Sequence, residues 1–150
     1  MSRAEKSMKA WSNFIDAARM MKRDFDRELG KCGISFIEFK IISILEKNGP
    51  MTMVAISEEL ILTKAGVTLL TDRLEEKGLL ERTRKEGDRR LIYVSTTVSG
   101  RQVFSEANQL YLKLVQSKLD LLSSNEVESL IEIMEKMKGL GRREHSTSSV

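Results

Sequence analysis

One segment constrains the fold of this chain more than any other: residues 79–100, with the sequence LLERTRKEGDRRLIYVSTTVSG. The segment predicts a β-hairpin whose turn lies at residues 85–90, and Gly87 suits a turn position with positive φ. An amphipathic helix is expected directly before it, over residues 63–77, closed by a glycine. This order of elements is more informative than any other feature of the sequence.

Positive charge is concentrated in the hairpin. Between Arg82 and Arg90, five basic residues stand against two acidic ones, an excess of three that equals the net charge of the whole chain. The sequence pI of about 9.0 is weak evidence by itself, because modest basicity mostly reflects solubility. A helix followed by a basic hairpin is instead the layout of a winged helix-turn-helix, which places the helix in the DNA major groove and the hairpin beside it.

The rest of the chain is predicted to be helical, so the fold class is mainly α (α+β), in one domain of 150 residues. Apolar residues at three- and four-residue intervals predict a first helix that the glycines at 30 and 33 stop. Capping residues mark the later helix starts. The expected helices span residues 7–29, 36–47, 53–60, 63–77, 97–122 and 124–138, with N-caps at Ser35, Thr52, Thr63, Thr97 and Ser123.

The N- and C-terminal helices carry more apolar surface than a winged module of about sixty residues can cover. The simplest solution is a second copy of the chain whose helices interleave with these; the alternative is a monomeric helical bundle beside the winged module. We therefore expect dimerisation helices at 1–34 and 97–138, the winged helix-turn-helix at 35–96, and a disordered tail at 139–150.

Residues 35–101 resemble the MarR family of winged-helix transcription regulators. The string TKAGVTLLTDRLEEKGLLERTRKEGDRRLIYVSTTVSGR is similar to the family's capped recognition helix, its RLEKKG-like exit, its D-R-R wing and the LT-x-x-G start of its long helix. The flanking helices match in order and length. The resemblance implies a homodimer of triangular outline that binds pseudo-palindromic double-stranded operator DNA, most often as a repressor, and is commonly released by a small-molecule effector or an oxidant.

The N-terminal half of the recognition helix is expected to contact DNA, since a helix N-terminus offers free N–H groups and a positive dipole end. The alternatives are capping or packing for the threonines and a solvated surface charge for the lysine. Gly66 and Leu69 stand where the family usually has polar side chains, so hydrogen-bonded readout should be sparse and DNA shape should contribute more. The candidate residues here are Thr63, Lys64, Ala65, Thr68, Thr71 and Arg73.

Arginines should supply the electrostatic contacts. The resemblance implies that Arg90 enters the minor groove while Asp88 pairs with it, and a narrow minor groove favours an inserted arginine. Arg73 matches a family arginine that contacts phosphate; the alternative is an ion pair with Asp72 or Glu76. A charged hairpin tip that only keeps a sheet edge soluble is the alternative for the wing. The candidate residues of the wing are Arg84, Lys85, Asp88, Arg89 and Arg90, of which Arg84, Lys85 and Arg89 would attract the DNA backbone.

An effector pocket and a redox site are further hypotheses. The single cysteine, Cys32, excludes an internal disulfide and fits a reducing compartment; as an oxidant sensor it is poorly placed, in the loop after the first helix with no histidine near it in sequence. Helical spacing makes most of the apolar candidates core residues rather than pocket residues. Those candidates are Trp11, Phe14, Met21, Phe36 and Phe39.

Other function classes find little support. The sole histidine is His145, and the chain has no Cys-x-x-Cys, phosphate-binding glycine loop or nucleophile elbow, so no enzyme, metal site or cofactor is expected. No apolar run approaches the length of a membrane span, which indicates a cytoplasmic protein without a membrane partner. The competing class is a winged-helix protein-interaction module, favoured by Gly66 and Leu69.

Overall fold

The structure, a computed structural model, describes residues 1–147 apart from the side chains of Arg89 and of residues 140–147. The chain divides into two compact units, Met1–Tyr111 and the part from Leu112 onward. The helices are α1 (Arg3–Leu29), α2 (Phe36–Asn48), α3 (Met53–Leu60), α4 (Lys64–Glu76), α5 (Val98–Leu119) and α6 (Ser124–Thr147), with a 3₁₀ turn at Gly30–Cys32. The strands are β1 (Met51–Thr52), β2 (Leu80–Lys85) and β3 (Asp88–Thr96).

The predicted N-caps are all formed. Ser35 and Glu38 make a capping box, in which each side chain accepts a hydrogen bond from the other residue's backbone N–H. The first helix begins earlier than predicted, because Ser2 and Glu5 form a capping box that apolar spacing alone did not reveal. Caps at Thr52, Thr63, Thr97 and Ser123 begin α3, α4, α5 and α6.

The predicted hairpin is present, and it belongs to a three-stranded antiparallel sheet with strand order β1-β3-β2. The short strand β1 was not predicted; its Met51 pairs with Val94 and its Thr52 pairs with Tyr93. Two residues are too few to show a strand's alternation of apolar and polar side chains. This extra strand pairs with the second edge of β3, so the inner part of β3 has a hydrogen-bonded strand on each side.

The core of the first unit lies where α2, α3, α4 and the sheet meet. Phe39, Ile56, Leu74 and Val94 are each no more than 1 % exposed, and burying a side chain of this kind contributes about 1.5–3 kcal/mol. An aromatic cluster extends the core along α1 and α5, with ring centroids 4.8–6.3 Å apart. Its members are Phe25, Phe36, Phe39, Phe104 and Tyr111.

The second unit holds the end of α5 and all of α6. The predicted tail from residue 139 is wrong as far as the backbone is described, because α6 continues to Thr147; residues 148–150 lie outside the described residues. Leu130, Ile131 and Ile133 are 37–57 % exposed on α6. Within the residues described, no helix is long and apolar enough to cross a membrane.

Candidate nucleic-acid interface

The fourth helix, α4, has one face in the core and one face exposed. Its N-terminus is capped by Thr63, whose Oγ1 accepts a hydrogen bond from the Gly66 N–H at 3.1 Å. A Cβ added at Gly66 would lie 3.1 Å from the same oxygen, so the glycine gives the cap room. Val67 and Leu74 are fully buried on the inner face. The outer face exposes Lys64, Ala65, Thr68, Leu69 and Arg73.

Thr71 does not belong to this outer face, and its prediction as a DNA contact is wrong. It is 1 % exposed, and its hydroxyl donates to the Val67 carbonyl at 2.8 Å. The same Oγ1 accepts a hydrogen bond from the Arg82 guanidinium at 3.1 Å. Thr71 therefore joins the core to the hairpin, in the i+4 register from Val67 that places it on the buried stripe.

Arg82 is bound inside the winged module, although its position in the sequence groups it with the free charges of the hairpin. Its Nη2 pairs with Asp72 and its Nε lies 3.1 Å from Glu75 Oε2. One guanidinium thus links β2 to α4 through ion pairs with two carboxylates of the helix. Asp72 is therefore paired with Arg82 and not with Arg73, whose side chain makes no hydrogen bond or ion pair with the residues described.

A second set of contacts fixes the hairpin to the start of α5. The Thr97 hydroxyl donates to the Gly78 carbonyl at 2.6 Å, and the Thr97 N–H donates to the Leu79 carbonyl at 3.1 Å. A Cβ added at Gly100 would lie 2.1 Å from the Leu79 oxygen, so only glycine permits this approach. We call Leu79, Arg82, Thr97 and Gly100 the base of the wing.

The outer end of the hairpin, residues 84–90, is the wing tip. Gly87 has φ of 91° in the turn, as predicted. The strand register changes here, from Arg84 opposite Ile92 to Lys85 opposite Asp88, which leaves residues 89–91 in a bulge. A bulge redirects the side chains that it contains.

Arg90 lies in this bulge and is the most exposed arginine among the ion pairs of the winged module. Its side chain is 92 % exposed, while its Nε lies 3.4 Å from Asp88 Oδ1. The same carboxylate oxygen accepts a hydrogen bond from the Arg90 N–H at 3.0 Å. The predicted Asp88–Arg90 pairing is confirmed, and it directs a planar cation into solvent.

The other predicted cations of the wing tip are Arg84 and Lys85. Both are exposed, and their side chains make no hydrogen bond or ion pair with any described residue. The side chain of Arg89 lies outside the described residues. The structure thus separates the hairpin cations into Arg82, which is bound at the base, and the exposed cations of the wing tip.

The turn between α3 and α4 contains a residue that sequence reasoning missed. Ile61 has φ of 54° and ψ of 50°, in the left-handed region, where a β-branched residue is a clear outlier. Its side chain is 88 % exposed. The sequence contains a signal for this. A tight turn between two helices requires a positive φ, and because no glycine lies between Glu59 and Thr63, another residue has to adopt it.

The five predicted effector-pocket residues do not come together in one place. Phe36 and Phe39 pack in the aromatic cluster, and Phe39 is 1 % exposed. Trp11, Phe14 and Met21 are 39–53 % exposed on α1. Only Phe36 and Phe39 thus lie in or beside the core, as helical spacing favoured for most of the five, whereas the three residues of α1 lie on the surface of the described chain.

Cys32 is half-buried, and burial raises the pKa of its thiol, with the nearby carboxylate of Glu106 acting in the same direction. The thiolate is the reactive form of cysteine, so this environment reduces its reactivity. Among the residues described, no three His, Cys, Asp or Glu side chains are placed to hold a metal ion.

These elements define a winged helix-turn-helix protein. The family model for the MarR family matches residues 34–92. The transcriptional repressor MdtR of Bacillus subtilis (strain 168) is 30 % identical over 107 residues, covering 71 % of this chain and 69 % of MdtR. The crystal structure of the transcriptional regulator BldR from Sulfolobus solfataricus is 30 % identical, with a TM-score of 0.81 over 93 % of this chain and 99 % of BldR.

A mutant of MarR from E. coli, complexed with operator DNA, has the same fold at 22 % identity. Its TM-score is 0.82 over 91 % of this chain and 99 % of that one. The chain belongs to the MarR family of winged-helix transcription regulators. It is a DNA-binding regulator and not an enzyme, so the resemblance seen in residues 35–101 is confirmed.

Proposed function

We propose that this regulator binds pseudo-palindromic operator DNA as a homodimer and acts as a repressor. The observation that carries the proposal is that the winged module presents both an exposed cationic wing tip and a capped, exposed N-terminus of α4. Arg84, Lys85 and Arg90 are exposed on the hairpin, while Arg82 is paired with Asp72 and Glu75 of α4. Exposed positive charge of this kind is what attracts a phosphate backbone.

Two relatives support the finer parts of the proposal. MdtR is a transcriptional repressor, and the MarR structure of the same fold contains operator DNA. Recognition helices contact base edges through their N-terminal residues, which assigns Thr63, Lys64, Ala65 and Thr68 to the major groove. Arg90 is assigned to the minor groove, held by Asp88, and Arg73, Arg84, Lys85 and Arg89 to the DNA backbone.

Homodimerisation is supported by apolar surface on both units. Met8, Trp11 and Met20 are 53–67 % exposed on α1, and Ile131 and Ile133 are 51–57 % exposed on α6. Exposed apolar area on this scale is typical of interaction surfaces. We expect an obligate interface of about 2,000 Å² or more, which size-exclusion chromatography with light scattering would show as twice the chain mass.

The test of DNA binding is selection of bound fragments from random duplex DNA. We expect enrichment of an inverted repeat whose half-sites are separated by about one helical turn, roughly 10–10.5 base pairs. Gel-shift titration of the selected duplex then measures the salt dependence. A regulator that makes six to ten phosphate contacts should lose about 10³- to 10⁵-fold in affinity between 50 and 200 mM salt.

The second candidate is a protein-interaction module, and the exposure of Ile61 and Leu69, 88 % and 53 %, favours it. A surface that docks a protein through these side chains would show a much shallower response to salt and no retention on duplex DNA. Those two results together would contradict DNA binding. Unpaired cations at the wing tip favour the nucleic acid, because a protein partner would have to desolvate them.

Release by a small-molecule effector stays a prediction, and sensing through Cys32 stays the alternative that we do not expect. We place the regulator in the cytoplasm because it acts on DNA. Addition of a candidate phenol or organic acid to the preformed complex would test release. Peroxide treatment should leave DNA affinity unchanged, because the raised pKa of the Cys32 thiol keeps it protonated near neutral pH.

A further inference from the structure

The outward face of α4 offers few hydrogen-bonding groups. Ala65, Thr68 and Leu69 have the i, i+3, i+4 spacing that brings side chains together on one face of a helix, and all three are exposed. Leu69 alone is 53 % exposed. Two residues that could have added polar groups do not, since Gly66 has no side chain and Thr71 is buried.

The one hydroxyl of this exposed face is already engaged. Thr68 Oγ1 donates to the Lys64 carbonyl at 3.0 Å, one turn earlier in the same helix. Because the hydroxyl turns back to the helix backbone, the exposed part that remains for contact is mainly the Thr68 methyl group. The face formed by Ala65, Thr68 and Leu69 is therefore a surface of methyl groups, which we call the methyl face.

We propose that the methyl face makes thymine the preferred base in the half-site, with Leu69 as its specificity-determining residue. In the major groove thymine presents a 5-methyl group, and cytosine presents only a C5–H at that position, so an apolar side chain can tell them apart without a hydrogen bond. The proposal rests on the proposed binding of duplex DNA. It assigns base readout to apolar contact, whereas the sparse hydrogen bonding of α4 suggested a larger contribution from DNA shape.

Charges around the methyl face favour a nucleic acid over an apolar protein partner. Lys64 lies at the first position of α4, where its cation and the helix N-terminus both attract phosphate. The wing tip adds Arg84, Lys85 and Arg90, all exposed. An apolar face on the same module as these exposed cations suits duplex DNA, which presents base methyls in a groove between phosphate backbones.

The test compares two forms of the duplex selected by the wild-type protein, one amplified with thymidine and one with deoxyuridine triphosphate. Deoxyuridine keeps every hydrogen-bonding group of thymine and lacks only the methyl. Burial of one such group is equivalent to about a fourfold change in affinity. With one contacted methyl in each half-site, wild type should bind the uridine duplex about fifteenfold more weakly.

Three variants locate the effect on the protein. Leu69→Ala should bind the thymidine duplex more weakly and lose most of the discrimination between the two duplexes. Leu69→Met keeps an apolar side chain and should retain the discrimination. Val54→Ala removes an aliphatic group that is 47 % exposed on α3, and it should leave the ratio unchanged.

Each ratio is measured within one protein preparation, so it does not depend on the folded fraction. Equal affinity of wild type for the two duplexes would overturn the proposal, as would full discrimination by Leu69→Ala, because the effect would then come from DNA shape. If wild type is retained on no duplex at all, DNA binding itself fails and the assignment of Leu69 fails with it. Retention on both duplexes with equal affinity rejects only the methyl face.

Discussion

The base of the wing and the wing tip belong to one hairpin but differ in how their charged and polar groups are bonded. At the base, Arg82 is bound to Asp72 and Glu75, and Thr97 bridges to the end of α4. At the wing tip, the Arg90 side chain is 92 % exposed and keeps one carboxylate neighbour. We therefore expect residues at the base of the wing to determine the stability of the fold and residues at the wing tip to determine DNA affinity.

Gly100→Ala should produce the largest loss of stability. Its Cβ would lie 2.1 Å from the Leu79 oxygen and 2.6 Å from Thr96 Cγ2, so backbone has to move. Overpacking of this kind costs about 1–3 kcal/mol and occasionally more, and we expect about 3 kcal/mol in a urea unfolding titration. The control is Gly139→Ala, in a helix with open space around it, which should be neutral or slightly stabilising. Equal stability of the two variants would contradict the role of the base.

Arg90→Ala should have the next largest effect, on DNA affinity and not on stability. We expect at least a roughly tenfold weaker operator complex in gel shifts and an intact dimer. The slope of log affinity against log salt should become shallower by about one for each phosphate that is no longer neutralised.

The matched control for Arg90→Ala is Arg82→Ala, which removes the same charge from the same hairpin but breaks two ion pairs. Because those pairs are partly exposed, that variant should lose only about 1 kcal/mol of stability. A melting temperature that falls equally in both variants would remove the distinction between base and tip.

Ile61→Gly should stabilise the protein, which would show that a residue outside both parts of the hairpin can change stability without changing binding. A left-handed conformation costs a residue of this type about 1–2 kcal/mol. Glycine removes this cost, but its greater loss of conformational entropy on folding offsets about 0.5–1 kcal/mol of the gain. Little burial is lost, since the side chain is 88 % exposed. We expect a gain of about 0.5–1 kcal/mol by thermal melting; Ile61→Ala, which keeps the backbone penalty, is the control and should not share the gain.

Asp26→Asn should give the smallest change in stability, and only at acid pH. It tests whether a hydrogen-bonded charged group outside the hairpin also contributes to stability, as we expect for the base of the wing. Burial raises the pKa of Asp26, but the hydrogen bonds from Lys22 and from the Phe36 N–H outweigh it, so the pKa is lowered. A lowered pKa in the folded state means that this stabilisation is present above the unfolded pKa, near 3.8, and is lost as the pH falls through the folded value.

The wild type should therefore lose stability below about pH 4 more steeply than Asp26→Asn, by about a few tenths of a kcal/mol, in urea titrations between about pH 3 and pH 6. Asp16→Asn removes an exposed carboxylate on the same helix that has no partner among the described residues, and it serves as the control. If Asp16→Asn reduces the loss of stability at acid pH as much as Asp26→Asn does, the effect comes from net charge and not from the hydrogen bonds of Asp26.

Much of the fold could be predicted because its determinants are local. Ser35 with Glu38 and the Thr63 cap act within four residues, so the sequence shows them directly. The structure adds features that depend on contacts between distant segments: β1 is recognisable only by its pairing with β3, and Arg82 meets Asp72 and Glu75 across two elements. Thr71 is a different case: it lies near the N-terminal half of α4, which favoured a DNA contact, but its spacing from Val67 and Leu74 places it on the buried stripe.

The geometry of the wing tip follows from local sequence, whereas the outward face of the helix does not. The Asp88–Arg90 pair joins residues two apart, so the motif contains its own geometry. Which face of α4 remains outward depends on how the helix packs against the rest of the module. That packing leaves Leu69 exposed, so it is an apolar surface group and not merely a position that lacks a polar side chain. Of the predicted contacts on the helix, Lys64, Ala65 and Thr68 are exposed and Thr71 is not.

The register change between Arg84 and Lys85 has a consequence for how this hairpin can vary. The inner pairs, from Leu80 opposite Thr96 to Arg84 opposite Ile92, keep an uninterrupted register, and a slip of one residue there would turn every side chain to the opposite face. Beyond Arg84 the register of the two strands is already shifted. Residues can therefore be inserted or deleted between 85 and 91 without disturbing the pairs below, so the reach of the hairpin can be lengthened or shortened while the module that carries it stays the same.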